Sequence, residues 1–157
     1  MYRDKVVVYT SGTFDMFHSN HLKMIEYARG LGDTLIVGVS TDELVCSYKR
    51  APIIPFEERI AIIKALRYPD IVIPQKSLDH TELVGKLNID VFVVGDDWTG
   101  KYDYLKELGV AVFYFPYGEG LSSTNIKKEI VERYDDIKGK IDHQPNPEVK
   151  AISKESK

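Results

Sequence analysis

Five short apolar runs alternate along this chain with stretches of helical spacing, and that alternation constrains the fold more than any other feature. The runs cover residues 6–9, 35–39, 71–73, 91–94 and 110–115. They are almost unbroken in Val, Ile, Leu and aromatic residues, as strands covered on both faces require. Between the first two, Leu22, Ile25, Ala28 and Leu31 share one helical face, and Gly32 follows as a stop. Pro55 suits the start of a second helix continued by Ile60, Ile63, Ala65 and Leu66. Residues 79–87 and 102–108 predict two shorter helices. Ser122 or Ser123 can cap a last one through Ile126, Ile130 and Val131. Strand–helix alternation of this kind predicts an α/β protein: a Rossmann-like parallel sheet of about five strands, helices on both faces, right-handed crossovers.

In such sheets ligands bind beyond the carboxyl ends of the strands. The first turn (12–21), the loop after the second strand (41–54), the loop after the fourth (95–101) and the turn at 116–124 all fall on that edge. The chain has 157 residues, which fits one domain with a sizeable core. We expect the catalytic domain in residues 1–137 and a polar, proline-containing extension in residues 138–157. The net charge of −3 argues against a nucleic-acid partner, since phosphate-backbone binding needs a basic surface. A nucleotide needs only a local positive site. Cys46 is the one cysteine, so no intrachain disulfide forms, and a reducing cytoplasm is the expected location. Arg3, Asp4 and Lys5 break up any signal-like apolar segment, and no run is long enough to span a membrane.

The chemistry concentrates in Gly12-Thr13-Phe14-Asp15-Met16-Phe17-His18-Ser19-Asn20-His21. A strand, a Gly/Thr turn, then two histidines three apart at a helix start form a cradle for a triphosphate. At that spacing the imidazoles share a face. The helix N-terminus adds free N–H groups and a partial positive charge. The same pattern also fits one structural and one surface histidine, or a metal pair, although no third ligand lies nearby.

These residues, with Ser122-Ser123-Thr124 near the end, resemble the cytidylyltransferase family, in particular its glycerol-3-phosphate type. Gly95-Asp96-Asp97-Trp98-Thr99-Gly100-Lys101 matches that type's Gly-Asp-Asp-Trp-x-Gly-Lys segment and is far more specific than a histidine pair. Ser40-Thr41-Asp42-Glu43 and Arg67-Tyr68-x-Asp70 match as well. The similarity extends from about residue 5 to 133.

The resemblance implies transfer of CMP from CTP to a small phosphorylated alcohol, with release of pyrophosphate. It implies catalytic roles for His18, His21, Thr124 and Arg67. It implies nucleotide contacts from Gly12, Thr13, Phe14, Gly95, Asp96, Asp97, Trp98, Tyr117, Gly120, Ser122, Ser123 and Thr124. At Gly95 the missing side chain would let the backbone approach the ligand. Lys49, Arg50 and Lys76 are the candidate cations for the acceptor phosphate. Mg²⁺ is expected with CTP, held through the phosphates rather than by a protein ligand set, with Asp15 as an outer partner. Relatives of this type lead us to expect a homodimer.

The chain departs from the pattern at four places. Asn20 stands for a glycine between the histidines, Tyr117 for an arginine, and Tyr48 and Thr81 for lysines. The alternatives are another alditol phosphate or a phosphonate as acceptor, an adenylyltransferase on the same fold, or a nucleotide-binding module without turnover.

Overall fold

The computed structural model describes residues 5–134, 136 and 138. Five strands, β1 (Val7–Gly12), β2 (Thr34–Ser40), β3 (Ile71–Gln75), β4 (Val91–Gly95) and β5 (Ala111–Phe115), form one sheet in the order β3-β2-β1-β4-β5. Every pair is parallel. The helices are α1 (Ser19–Arg29), α2 (Asp42–Cys46), α3 (Phe56–Lys64), α4 (Thr81–Leu87) and α5 (Ser123–Glu132). The chain leaves β1 for β2 and β3 on one side, then returns to place β4 on the other. This reversal opens a crevice beyond the carboxyl ends of β1 and β4, at Gly12 and Gly95, where a sheet of this topology binds ligands.

The sheet is buried on both faces because side chains alternate along each strand. Val8, Leu35, Val37, Val39, Val91 and Val93 meet Met24, Ile25 and Ala28 of α1 and Ile60 and Ile63 of α3. On the other face, Tyr9, Ile36, Phe92 and Val94 pack with Tyr102, Leu105 and Val110, and with Leu83, Val84 and Leu87 of α4. Gly38 of β2 is required here. A Cβ at that position would overlap the Tyr9 hydroxyl and lie 2.9 Å from its Cζ.

Four local differences from the sequence reading have physical causes. β1 runs on to Gly12 instead of ending at Tyr9, because Thr10, Ser11 and Gly12 pair with Val37, Gly38 and Val39. The Thr10 hydroxyl also donates to the Val93 carbonyl at 2.8 Å. The segment 41–54 contains the short helix α2, capped by the Thr41 hydroxyl, which accepts from Leu44 N–H at 3.2 Å. Residues Asp103–Leu108 wind as a 3₁₀ rather than an α-helix, stopped by Gly109 at φ +82°. α4 begins at Thr81 because the Asp79 carboxylate takes the Thr81 N–H at 3.0 Å and holds the preceding residues in a turn.

The chain divides into two compact units, one ending at Ser123 and a second of residues 124–157. In the second, α5 carries i,i+4 ion pairs between Lys128 and Glu132 and between Arg133 and Glu129. The expected polar extension lies outside the described residues except at Lys138.

Candidate active site

His18 and His21 cap each other at the start of α1. His18 Nδ1 accepts from the Asn20 N–H at 3.3 Å, and His21 Nδ1 accepts from the His18 N–H at 3.3 Å. This is a capping box built from two imidazoles in place of the usual hydroxyl and carboxylate. It sets the tautomer, because a nitrogen that accepts carries no proton. In the neutral ring the proton sits on Nε2 of both histidines. The rings are stacked with centroids 3.7 Å apart and planes 22° apart. Burial lowers the affinity of His18 for a proton. Burial, aided by the charge of His18, depresses His21 to about 3. Near neutral pH both are therefore uncharged Nε2–H donors.

The turn that presents them is strained. Phe14 and Met16 adopt φ of +54° and +47°, left-handed values that bulky side chains rarely hold. Three sets of bonds hold it. The Asp15 carboxylate accepts from Ile53 N–H and Ile54 N–H, both at 2.9 Å. The Ser123 hydroxyl donates to the Asp15 carbonyl at 2.5 Å. The third set comes from Arg59, only 1% exposed. Its guanidinium donates to the carbonyls of Thr13 (2.6 Å), Ser40 (2.8 Å) and Ile54 (2.8 Å) and to the Asp42 carboxylate (2.6 Å). One side chain thus ties together the first turn, the end of β2, α2 and the loop before α3. Residue-by-residue reading missed Arg59. Its signal was a charge on the apolar stripe of α3, in register with Phe56, Ile60 and Ile63.

Gly12, Thr13, Phe14, Gly95, Asp96, Asp97 and Trp98 all lie on the carboxyl edge of the sheet, the last three in a 3₁₀ turn directly after β4. Lys49 and Arg50 sit exposed between α2 and α3, and Lys76 is exposed just after β3. The Lys49 charge is felt at both His21 and Asp97. Tyr117, Gly120, Ser122 and Ser123 follow β5 on the same edge. Thr124 opens the second compact unit and is described with it.

Arg67 is not brought to the histidines within the chain. It lies in the α3–β3 connection, at the amino edge of a parallel sheet. The five residues of β3, about 16 Å at strand rise, separate that edge from the carboxyl edge. Its guanidinium donates to the Tyr68 hydroxyl at 2.9 Å, and that hydroxyl donates to Glu26 at 2.9 Å. At Gly95 the Tyr117 ring lies close above the backbone: a Cβ there would overlap it and lie 2.6 Å from Asp97 Oδ1. Tyr117 is half-buried, its hydroxyl 3.3 Å from Met24 Sδ. Each carboxylate oxygen of Asp15 accepts one backbone N–H, which fixes the first turn against the loop before α3. Asn20 keeps a helical backbone, and its amide donates to the Leu121 carbonyl at 2.6 Å, fastening the turn before α5. Its side chain acts as a fastener, and the strain falls on Phe14 and Met16 instead.

His80 is 2% exposed, packed among Tyr9, Phe92 and Tyr102, and its Nε2 has no partner among the described residues. Burial depresses it to about 4. An unfolded imidazole takes its proton near 6.5, so below that pH the unfolded chain binds protons that folded His80 and His21 refuse. Stability is therefore expected to hold above pH 6.5 and to fall as the pH drops from 6.5 towards 4. Urea midpoints at pH 7.5, 6.0 and 5.0 check this, and His80→Phe should flatten the slope.

The cytidylyltransferase-like family model matches residues 9–133. The glycerol-3-phosphate cytidylyltransferase of Bacillus subtilis (strain 168) is 45% identical over 127 residues, covering 80% of this chain and 96% of the relative. The enzyme of the same name from Staphylococcus aureus (strain NCTC 8325 / PS 47) is 40% identical, covering 78% of this chain and 93% of its own. Among solved structures, the lipopolysaccharide core biosynthesis protein of Thermoplasma volcanium GSS1 shares the fold. Its TM-score is 0.62 at 24% identity, over 74% of this chain and 99% of that one.

Proposed function

The chain belongs to the cytidylyltransferase-like family, and from that premise we propose that it transfers CMP from CTP to a small phosphorylated alcohol of the glycerol-3-phosphate type. An acceptor phosphate oxygen attacks the α-phosphorus. The bond from that phosphorus to the bridging oxygen breaks, and pyrophosphate leaves with the electron pair. No covalent intermediate on the protein is needed. The observation that carries this reading is the reciprocal cap of His18 and His21 at the crevice beyond β1 and β4. It holds two neutral imidazoles with Nε2–H free to donate, so they can stabilise charge developing on the phosphate oxygens without reorganising. Backbone N–H groups at the start of α1 add to that field.

Mg²⁺ would arrive bound to CTP and would offset part of the triphosphate charge. We propose a homodimer, in line with the sequence expectation, and static light scattering tests it. A cytoplasmic location accords with the single exposed thiol of Cys46, and fractionation tests it. No helix among the described residues is long and apolar enough to cross a membrane.

The activity is tested by pyrophosphate release from Mg–CTP and Mg–ATP with glycerol-3-phosphate. Release with CTP and at least a hundredfold less with ATP is expected. Preference for ATP would make the enzyme an adenylyltransferase. CTP binding by calorimetry with no turnover on any phosphorylated acceptor would make it a nucleotide-binding module.

A further inference from the structure

Between β5 and α5 the chain runs Pro116-Tyr117-Gly118-Glu119-Gly120-Leu121-Ser122 beside the histidine turn. The middle of this segment is not held by packing. Residues 118–121 are exposed, and a Cβ on Gly118 or Gly120 would meet no atom within 4 Å. Gly120 takes φ +130°, a value that residues with side chains rarely adopt. Glycine loses more conformational freedom on ordering than any other residue, so a segment with two of them needs bonds to stay in one place.

Bonds are present towards both ends. The Tyr117 ring sits over Gly95, with its hydroxyl 3.3 Å from Met24 Sδ. Beyond the glycines, the Asn20 amide donates to the Leu121 carbonyl at 2.6 Å, and the Ser123 hydroxyl donates to the Asp15 carbonyl at 2.5 Å. Ser122 is thus bracketed by two bonds to the histidine turn. Asn20 has a double part in this. Its N–H donates to His18 Nδ1 at 3.3 Å while its side chain holds Leu121. The glycine that the family pattern has at this position would keep the first bond and lose the second. The pattern's arginine at 117 could be tied down by a phosphate, but only once the nucleotide had bound. Tyr117 has no such charge, so in this chain the restraint comes from Asn20 and needs no ligand.

We propose that Asn20 is a positioning residue for the nucleotide: it holds residues 118–122 in place before CTP arrives, so that the triphosphate meets a wall already ordered. The inference rests on the CTP site proposed above and adds how that site is kept in shape. Order completed on folding no longer has to be supplied on binding, so the effect falls on affinity for CTP. The chemical step and the acceptor are unaffected, because every substitution but proline keeps the N–H that caps His18.

The test uses the full chain with Asn20→Gly and Asn20→Ala. Both lose the amide and keep the N–H, and the alanine variant adds no backbone freedom. The Kd for Mg–CTP by calorimetry and the KM for CTP should rise about five- to tenfold in each, the range of one lost hydrogen bond. The kcat and the KM for glycerol-3-phosphate should stay within twofold of the wild type. The heteronuclear ¹H–¹⁵N NOE of Gly118 and Gly120 should report a rigid segment in the wild type with and without CTP. In Asn20→Gly it should fall without CTP and recover at saturating CTP. A Kd and KM for CTP within twofold of the wild type in both variants would overturn the proposal, and so would a low NOE in the nucleotide-free wild type. A matching rise in the KM for glycerol-3-phosphate, or a fall in kcat, would mean a general disturbance of the site and would overturn it as well. CTP binding without turnover in the wild type would overturn the CMP transfer and leave Asn20 to be decided by Kd and NOE. No CTP binding at all would overturn both.

Discussion

Arg59→Ala is expected to cost about 3–5 kcal/mol of stability, because three backbone carbonyls lose a charged donor at about 1–3 kcal/mol each, while the Asp42 carboxylate, 41% exposed, is left to water. Three carbonyls and the Asp42 carboxylate lose their donor together. The carbonyls of Thr13 and Ser40 lie at the carboxyl edge beside the proposed phosphate site, so the loss also loosens the strained turn at Phe14 and Met16. Urea denaturation should show a lower midpoint at unchanged slope, and the KM for CTP should rise in whatever protein stays folded. Arg59→Lys should recover only a minor part. A lysine has one point of charge, whereas the planar guanidinium reaches four partners on different segments. A loss below 1 kcal/mol for the alanine variant would mean that the Asp15 bonds to Ile53 and Ile54 hold the turn without Arg59.

The second large effect concerns His21. Removing its Nε2–H donor is expected to lower kcat by about 10²–10³-fold, or roughly 2.7–4 kcal/mol of transition-state stabilisation. His21 also accepts the His18 N–H, so His21→Ala mixes a lost donor with a lost cap. Caps contribute on the order of 1 kcal/mol. His21→Gln separates the two. Glutamine is a normal partner at this position of a capping box and can accept the same N–H, but its amide is not placed where imidazole Nε2 was. The glutamine variant should melt near the wild type and still lose most of kcat, while the alanine variant loses both. Wild-type kcat in His21→Gln would exclude the donor role.

The layering of this protein was legible in its sequence because strand and helix periods differ. Val37 and Val39 alternate with Ile36 and Gly38, whereas Ile60 and Ile63 recur at helical spacing. The histidine turn was legible too, since a Gly/Thr turn between a strand and a helix has few physical readings. The interactions that hold the site were not. Arg59 reaches Thr13 across 46 residues, Asn20 reaches Leu121 across 101, and Tyr117 covers Gly95 from the far side of β5. None of these pairs leaves a periodic trace, because each depends on which strands become neighbours.

The same division explains Arg67 and Tyr117. A matched motif shows which residue types belong to a family, but strand direction decides which edge of the sheet each residue reaches. All five strands run the same way, so loops after strands gather at one edge and Arg67, ahead of β3, falls at the other. By itself the sequence determined the α/β layering, the turn that presents two histidines and the family to which the chain belongs. The tertiary structure alone decided the strand order and the bonds that hold the turn. Local periodicity is encoded by adjacent residues, whereas a site is closed by contacts between segments that only the folded sheet brings into register.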